Sequence, residues 1–301
     1  MASLFKPEIN IRSGKLAPII APTLTTNASA SRSHGLPNIL AAPMLFLRSL
    51  TFNVFLYVFT ALSSIVAVLT SIFMPRQLPA FARWWSRAWL KVYEILCGVS
   101  CEVKGREHLP EGGCVIAMKH QSTWDTFAMF AQFREPVFVF KSELTWIPFF
   151  GWALLRLGCI PVRRGTGKAA LESMIQGTAA ACSRGKQVVI FPEGTRGVVG
   201  QTAAYKSGVS HMYQANGGAV VPVALNSGLL WPRRGFLRPP GIITLEILPP
   251  IPPGLDRKDM QLRLVDDIEK ASARLSGGEG RYAPQDSRQK GEGNAGQGAD
   301  P

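Results

Sequence analysis

The chain has 301 residues, 33 basic against 20 acidic side chains, and a formal net charge of +13. Residues 1–48 contribute +4 and residues 277–301 contribute −1, leaving +10 on the middle; a folded domain this basic points to anionic lipid headgroups, phosphate-bearing substrates or both. No helix-turn-helix, zinc-finger or aromatic RNA-binding pattern supports nucleic acid as the partner, and five cysteines without a C-x-x-C, beside four unclustered histidines, argue for buried reduced thiols and against a metal site.

Residues 1–43 are rich in Ser, Thr, Ala and Pro without a sustained period, and read as a disordered extension. Their acid-poor composition also fits a transit peptide, and Met44-Leu-Phe-Leu-Arg48 offers an alternative start for a membrane protein. Ser49 to Phe73 contain no charged side chain. As a helix they would reach roughly 37 Å, enough to cross or enter a bilayer; a buried core helix is the competing reading. From Pro79 to Val99, Trp84, Trp85 and Trp89 interleave with Arg83, Arg87 and Lys91, a pattern suited to a membrane–water interface, or else to a helix packed on the domain surface. Residues 44–100 are thus expected to anchor the chain to a membrane.

From Cys101 the pattern alternates. Strands are predicted over Cys101–Lys104, Cys114–Met118, Val137–Lys141, Ile160–Arg163, Gln187–Phe191, Ala219–Leu225 and Ile242–Leu248. Helices are predicted over Ser122–Gln132, Lys168–Cys182, Ser207–Ala215 and Asp256–Leu275. Continuous apolar strands between amphipathic helices argue an α/β domain over residues 101–276, with a mixed, mostly parallel sheet flanked by helices. Trp146 to Leu155 is unusually apolar, either a covered helix or a second surface that dips into lipid. Residues 277–301 are Gly-rich and polar, a flexible tail.

The chemistry-bearing residues cluster at predicted strand ends. Cys114–Met118 leads into Lys119-His120-Gln-Ser-Thr-Trp-Asp125. Ser122 can cap the following helix with Asp125 as its reciprocal partner, so His120 and Asp125 can meet across the first turn, the carboxylate fixing the imidazole tautomer. An ordinary strand-end histidine and a first-turn acid are the plain alternative. Lys141-Ser-Glu143, Arg163-Arg164, Phe191-Pro192-Glu193-Gly194-Thr195-Arg196, with Lys206 beyond, and Val221-Pro222 follow. In open α/β sheets ligands sit outside the carboxyl ends of the strands. A crevice with a His–Asp base, fixed cations and loop amides suits deprotonating a hydroxyl on a phosphate-bearing substrate, for attack on an activated acyl carbon. Pro222 could equally mark an edge strand.

In this order and spacing, His120-x4-Asp125, the Arg164 segment, Phe191–Arg196 and Val221-Pro222 resemble the four motifs of the PlsC family of glycerolipid acyltransferases. The resemblance covers about residues 80–250. It implies 1-acylglycerol-3-phosphate O-acyltransferase activity, in which lysophosphatidate and acyl-CoA or acyl carrier protein give phosphatidate without a further cofactor. It implies His120 as general base and Asp125 as its support. Glu193, Gly194, Thr195 and Arg196 would shape acceptor binding, with Arg164 and Lys206 on the phosphate. Lys141, Pro192 and Pro222 belong to the motif framework. Arg163 stands where many members carry an acid, and Pro161 where many carry an aromatic. The family also implies membrane lipids as partners and a bacterial inner membrane, with the catalytic domain facing the cytoplasm.

Rival readings are acylation of another lysolipid such as a lyso-ornithine lipid, acylation of glycerol 3-phosphate, and a non-catalytic lipid-binding protein. A hydrolase would need a nucleophile, and no G-x-S-x-G occurs.

Overall fold

The computed structural model describes residues 41–163 and 167–278. The expected extension over residues 1–40, Arg164 and the tail from residue 279 lie outside the described residues.

The first element is one long helix, α1 (Ala41–Phe73). Its 33 residues carry a single charge, Arg48, and reach about 50 Å. It is helical from the first described residue, Ala41, ahead of the expected boundary at Met44, and Pro43 is tolerated in a first turn. It stops at Phe73 because Pro75 disfavours helical geometry at Met74, which sits at φ −138°. The helix is apolar all round, long and apolar enough to cross a membrane, yet it packs on the rest of the protein. Phe52 and Leu56 are buried, Phe52 lying 4.4 Å from the Tyr93 ring and 5.5 Å from Trp231. Towards the other end, Ala67 joins Leu78 and Ala153 in a small cluster. The outward face leaves Leu50, Val54, Val58, Leu62, Ile65 and Leu69 exposed.

The second helix, α2 (Leu78–Cys97), opens on a proline and closes on Gly98, whose φ of 69° suits glycine. Here the interfacial reading of the tryptophans is corrected. Leu78, Ala82, Trp85, Trp89, Tyr93 and Cys97 form one buried stripe at helical spacing. Trp85 and Trp89 pack edge-on against Phe127, and Trp89 against Trp231. Only Trp84 of the three is exposed. The domain core, not lipid, claims the other two.

The expected α/β architecture follows. The elements in chain order are β1 (Val99–Lys104), β2 (Cys114–Met118), α3 (Thr123–Gln132), β3 (Pro136–Lys141), α4 (Phe150–Leu157), β4 (Ile160–Val162), α5 (Gly167–Cys182), β5 (Gln187–Ile190), α6 (Gly208–Asn216), β6 (Val220–Leu225), β7 (Gly241–Ile247) and α7 (Arg257–Leu275). The sheet runs β1-β7-β6-β2-β5-β3-β4. Every neighbouring pair is parallel except β6 with β7.

β2 lies mid-sheet and is wholly buried. Its side chains alternate between two cores: Cys114, Ile116 and Met118 face the cluster built with α2 and α3, while Val115 and Ala117 face that of α5, α6 and α7. Burial on both faces is why these strands read as continuous apolar runs. Pro222 does not mark an edge. It pairs with Ala117 inside the sheet, and its carbonyl accepts from Leu248 N. Val223 O accepts from Lys119 N, so alternation turns the proline nitrogen towards β7, where the ladder breaks between Ile247 and the Val220–Ile251 bridge.

Trp146 to Leu155 divides. Ala153 and Leu154 pack inwards and α4 lies against α1, while Trp146, Phe149 and Trp152 are exposed.

Candidate active site

The strand-to-helix turn after β2 is over-determined. Ser122 is extended at φ −143° and caps α3, its Oγ accepting from Trp124 N at 3.1 Å. Asp125 completes the capping box. Its Oδ2 accepts from Gln121 N at 2.7 Å and Ser122 N at 2.8 Å. The same oxygen lies 3.0 Å from His120 Nδ1. A carboxylate oxygen only accepts, so Nδ1 donates, and the neutral imidazole is the tautomer with its lone pair on Nε2. Asp125 is fully buried, whereas the His120 side chain is 14% exposed. The plain alternative, a strand-end histidine beside an unrelated first-turn acid, does not describe this geometry. On its other oxygen, Oδ1, Asp125 accepts from Ser227 Oγ at 2.5 Å, a residue the sequence reading did not single out.

The turn after β5 is bolted to the first. The Phe191 ring stacks on the His120 imidazole, with centroids 3.9 Å apart. Gly197 N donates to His120 O at 2.7 Å, and Arg196 Nη1 to Thr123 Oγ1 at 2.7 Å. Pro192 O accepts from Lys206 N at 2.8 Å. Gly194 sits at φ 65°, and a Cβ there would come within 3.0 Å of Lys206 Cε.

Glu193 occupies a different place from the one expected. Its side chain is fully buried and does not line the cleft. It lies 2.9 Å from Lys119 Nζ, which is itself buried. Lys119 also contacts Glu269 of α7 at 2.5 Å, and Tyr205 donates to the same Glu269 oxygen at 2.8 Å. Two buried carboxylates share one ammonium. The Glu193 carboxyl is pushed above the usual glutamate range by burial, with Lys119 opposing the shift.

These strand ends surround one cleft of about 1580 Å³, counting space open to solvent. His120, Gly194, Thr195, Arg196, Pro192 and Lys206 line it, as do Lys141 and Arg163 from the ends of β3 and β4. Among the described residues its lining holds four cationic side chains, no carboxylate, no serine and no cysteine. Lys141 also pairs with Glu143 at 3.1 Å. Arg164 falls outside the described residues. A second, apolar pocket of about 530 Å³, counting space open to solvent, is lined by α1, α2, α3 and α4 and shares Thr126 and Phe138 with the cleft.

A model of the family described as Acyltransferase matches residues 100–226. The 1-acyl-sn-glycerol-3-phosphate acyltransferase of Pseudomonas aeruginosa is 37% identical over 203 residues, covering 65% of this chain and 79% of that protein. The chain belongs to the acyltransferase family. Two further 1-acyl-sn-glycerol-3-phosphate acyltransferases resemble the acyltransferase more distantly. That of Limnanthes alba is 29% identical over 58% of this chain and 63% of its own length; that of Saccharomyces cerevisiae is 28% identical over 56% and 58%. The chain thus spans less than two thirds of these plant and yeast relatives. In fold, the acyltransferase is similar to the crystal structure of the 1-acyl-sn-glycerophosphate (LPA) acyltransferase PlsC from Thermotoga maritima, with a TM-score of 0.65, 20% identity, and coverage of 79% of this chain and 97% of that one.

Proposed function

We propose that this acyltransferase transfers a fatty acyl group from acyl-CoA or acyl carrier protein to the free hydroxyl of 1-acylglycerol 3-phosphate, giving phosphatidate. The observation that carries the reading is the His120–Asp125 pair, its imidazole lining a cleft that holds four cations and shares two wall residues with an apolar pocket. His120 Nε2 accepts the proton of the acceptor hydroxyl as its oxygen attacks the thioester carbonyl carbon. The C–S bond then breaks, and the imidazolium, steadied by Asp125, returns the proton to the departing thiolate. A covalent acyl-enzyme is unnecessary, in keeping with a cleft lining that holds no serine or cysteine among the described residues. Arg196, Lys206, Arg163 and Lys141 supply positive charge for the acceptor phosphate, and Arg164 belongs with them by sequence. The apolar lining of the adjoining pocket suits an acyl chain, whose burial is favoured at roughly 0.8 kcal/mol per CH₂. The P. aeruginosa relative is named for acylation of the same acceptor.

The exposed apolar face of α1, and the exposed rings of Trp146, Phe149 and Trp152, fit a lipid surface. The protein would work at the cytoplasmic membrane of a bacterium with its cleft towards the cytoplasm. The test is acyl transfer on membranes containing the protein, with His120→Ala alongside, offering lysophosphatidate, glycerol 3-phosphate and a lyso-ornithine lipid. Phosphatidate formation that falls by about 10²–10⁴-fold in His120→Ala, with membrane association intact, is the expected result. His120-dependent transfer to another acceptor would replace the substrate; transfer indifferent to His120 would remove the mechanism.

A further inference from the structure

The strand of the fourth motif delivers a hydroxyl to the far side of the active-site carboxylate. β6 pairs with β2 through Val220–Val223, then the chain passes Asn226 into a single 3-10 turn, Ser227–Leu229. Ser227 is fully buried. Its Oγ lies 2.5 Å from Asp125 Oδ1, and because a carboxylate only accepts, the serine donates. The turn is held from several sides. Ser227 O accepts from Leu230 N at 3.2 Å and Trp231 N at 2.9 Å. Gly228 N donates to Gln121 Oε1 at 3.0 Å. The Asn226 amide accepts from Thr244 N at 2.8 Å and donates to Leu275 O at 3.1 Å, tying the turn to β7 and α7.

We propose that Ser227 is a positioning residue for the His120–Asp125 pair, holding the carboxylate's orientation and drawing off part of its charge, so that it sets the basicity of His120. The terminal torsion of an aspartate is broad and nearly two-fold. Three donors gather on Oδ2, and Ser227 holds the other oxygen, so the carboxylate cannot swap ends without breaking all four contacts. A donor to a carboxylate also weakens that carboxylate's hold on a neighbouring imidazolium. Without Ser227 Oγ, Asp125 stabilises the protonated imidazole more, and His120 becomes more basic. A general base works in its neutral form, so the acidic limb of the pH–rate profile moves to higher pH. The plateau rate falls because the imidazole is aimed less well. The acceptor KM stays, because Ser227 does not line the cleft.

The charged groups around His120 are Asp125 on its own turn, Lys119 and Glu193 beneath, and Arg196 and Lys206 on the cleft wall. Ser227→Ala removes none of these charges and loses a direct contact with Asp125 alone. The activity arm of the test rests on the proposed acyl transfer; the spectroscopic arm does not. In the full chain, wild type, Ser227→Ala, Ser227→Cys and Ser227→Thr are compared in kcat, KM and pH profile. The His120 resonance is titrated in ¹³C-histidine protein, with His120→Ala for assignment. For Ser227→Ala the expected result is a kcat lower by about tenfold. Its acceptor KM stays within about twofold, and the acidic limb and the His120 titration both move up by about half a unit to one unit. Ser227→Thr, which keeps the hydroxyl, restores both, and Ser227→Cys, a weaker donor, moves both in the same direction should the alanine variant not fold. A wild-type-like limb and titration in the alanine or cysteine variant would overturn the proposal, as would a threonine variant no better than alanine. Wild-type protein without transfer to any acceptor would instead overturn the proposed reaction, leaving the titration to decide on Ser227.

Discussion

Lys119 is the residue through which the two cleft-lining turns become one object. It precedes His120 in sequence, its backbone N–H donates to Val223 O of β6, and its ammonium lies between Glu193 and Glu269. An ammonium this deeply buried is tolerated only because both carboxylates reach it. Lys119→Met leaves them buried without their cation, and a loss of about 3–5 kcal/mol of stability is expected, measured by denaturant unfolding in detergent. A variant within 1 kcal/mol of wild type, on the scale of an exposed pair, would show the cluster to be weakly coupled. Glu193 adds a pH signature. Its carboxyl is raised by burial, so between the ordinary glutamate value and its own the folded protein binds more protons than the unfolded chain. Its contribution to stability is therefore full below the ordinary value and is lost as pH rises through the native one. Glu193→Gln cannot ionise, so its stability relative to wild type should climb from about pH 4 upwards until Glu193 is fully ionised. Parallel melting curves for the two proteins across that range would rule this out.

At the scale of elements, the strands were legible because a sheet buried on both faces leaves uninterrupted apolar runs, and Cys114–Met118 appears with the bounds its sequence implied. The His120–Asp125 pair was legible because a capping box spaces its residues by short-range rules alone. Ser227 and Glu269 were not, because their partners lie 102 and 150 residues away and only the sheet order brings them together. The tryptophans of α2 failed for a different reason. An aromatic–basic mixture has the same composition whether the aromatic stripe meets lipid or core, and only the position of α3 and Trp231 decides. That decision makes a prediction. Trp89→Ala removes a ring buried against Tyr93, Phe127 and Trp231 and should cost about 3–5 kcal/mol. Trp84→Ala, at an exposed position, should leave thermal stability nearly unchanged while weakening vesicle binding. The reverse ranking in melting temperature would return α2 to the membrane surface.

For the whole molecule, the long helix poses the question of topology, and its contacts argue against a transbilayer path. Near the start of α1 the Phe46 ring lies 5.2 Å from Phe236, Ser49 Oγ accepts from Arg238 N at 2.9 Å, and Asn53 Oδ1 accepts from Arg238 Nη2 at 3.1 Å. Near its end Ala67 packs with Leu78 of α2 and Ala153 of α4. Both ends of a helix about 50 Å long thus rest on the same domain that carries the cleft. A helix crossing a hydrocarbon core of about 30 Å would have to leave that domain behind at one end. Arg238 makes the cost concrete: its buried guanidinium is held by Asn53 and backbone carbonyls and its backbone N–H by Ser49, so α1 cannot leave for lipid without stripping the arginine of Asn53 and Ser49. The expected arrangement is α1 lying along one leaflet with its exposed apolar face in the acyl region. Met44 and Met74 are exposed at the two ends, and the five native cysteines, free and largely buried, make weak competitors for a labelling reagent. Met44→Cys and Met74→Cys should both react with a membrane-impermeant maleimide in inverted vesicles, and neither should react in intact spheroplasts. Labelling of one from each side would show that α1 crosses the bilayer, and would mean that its packing against Arg238 or against Ala153 is given up in the membrane.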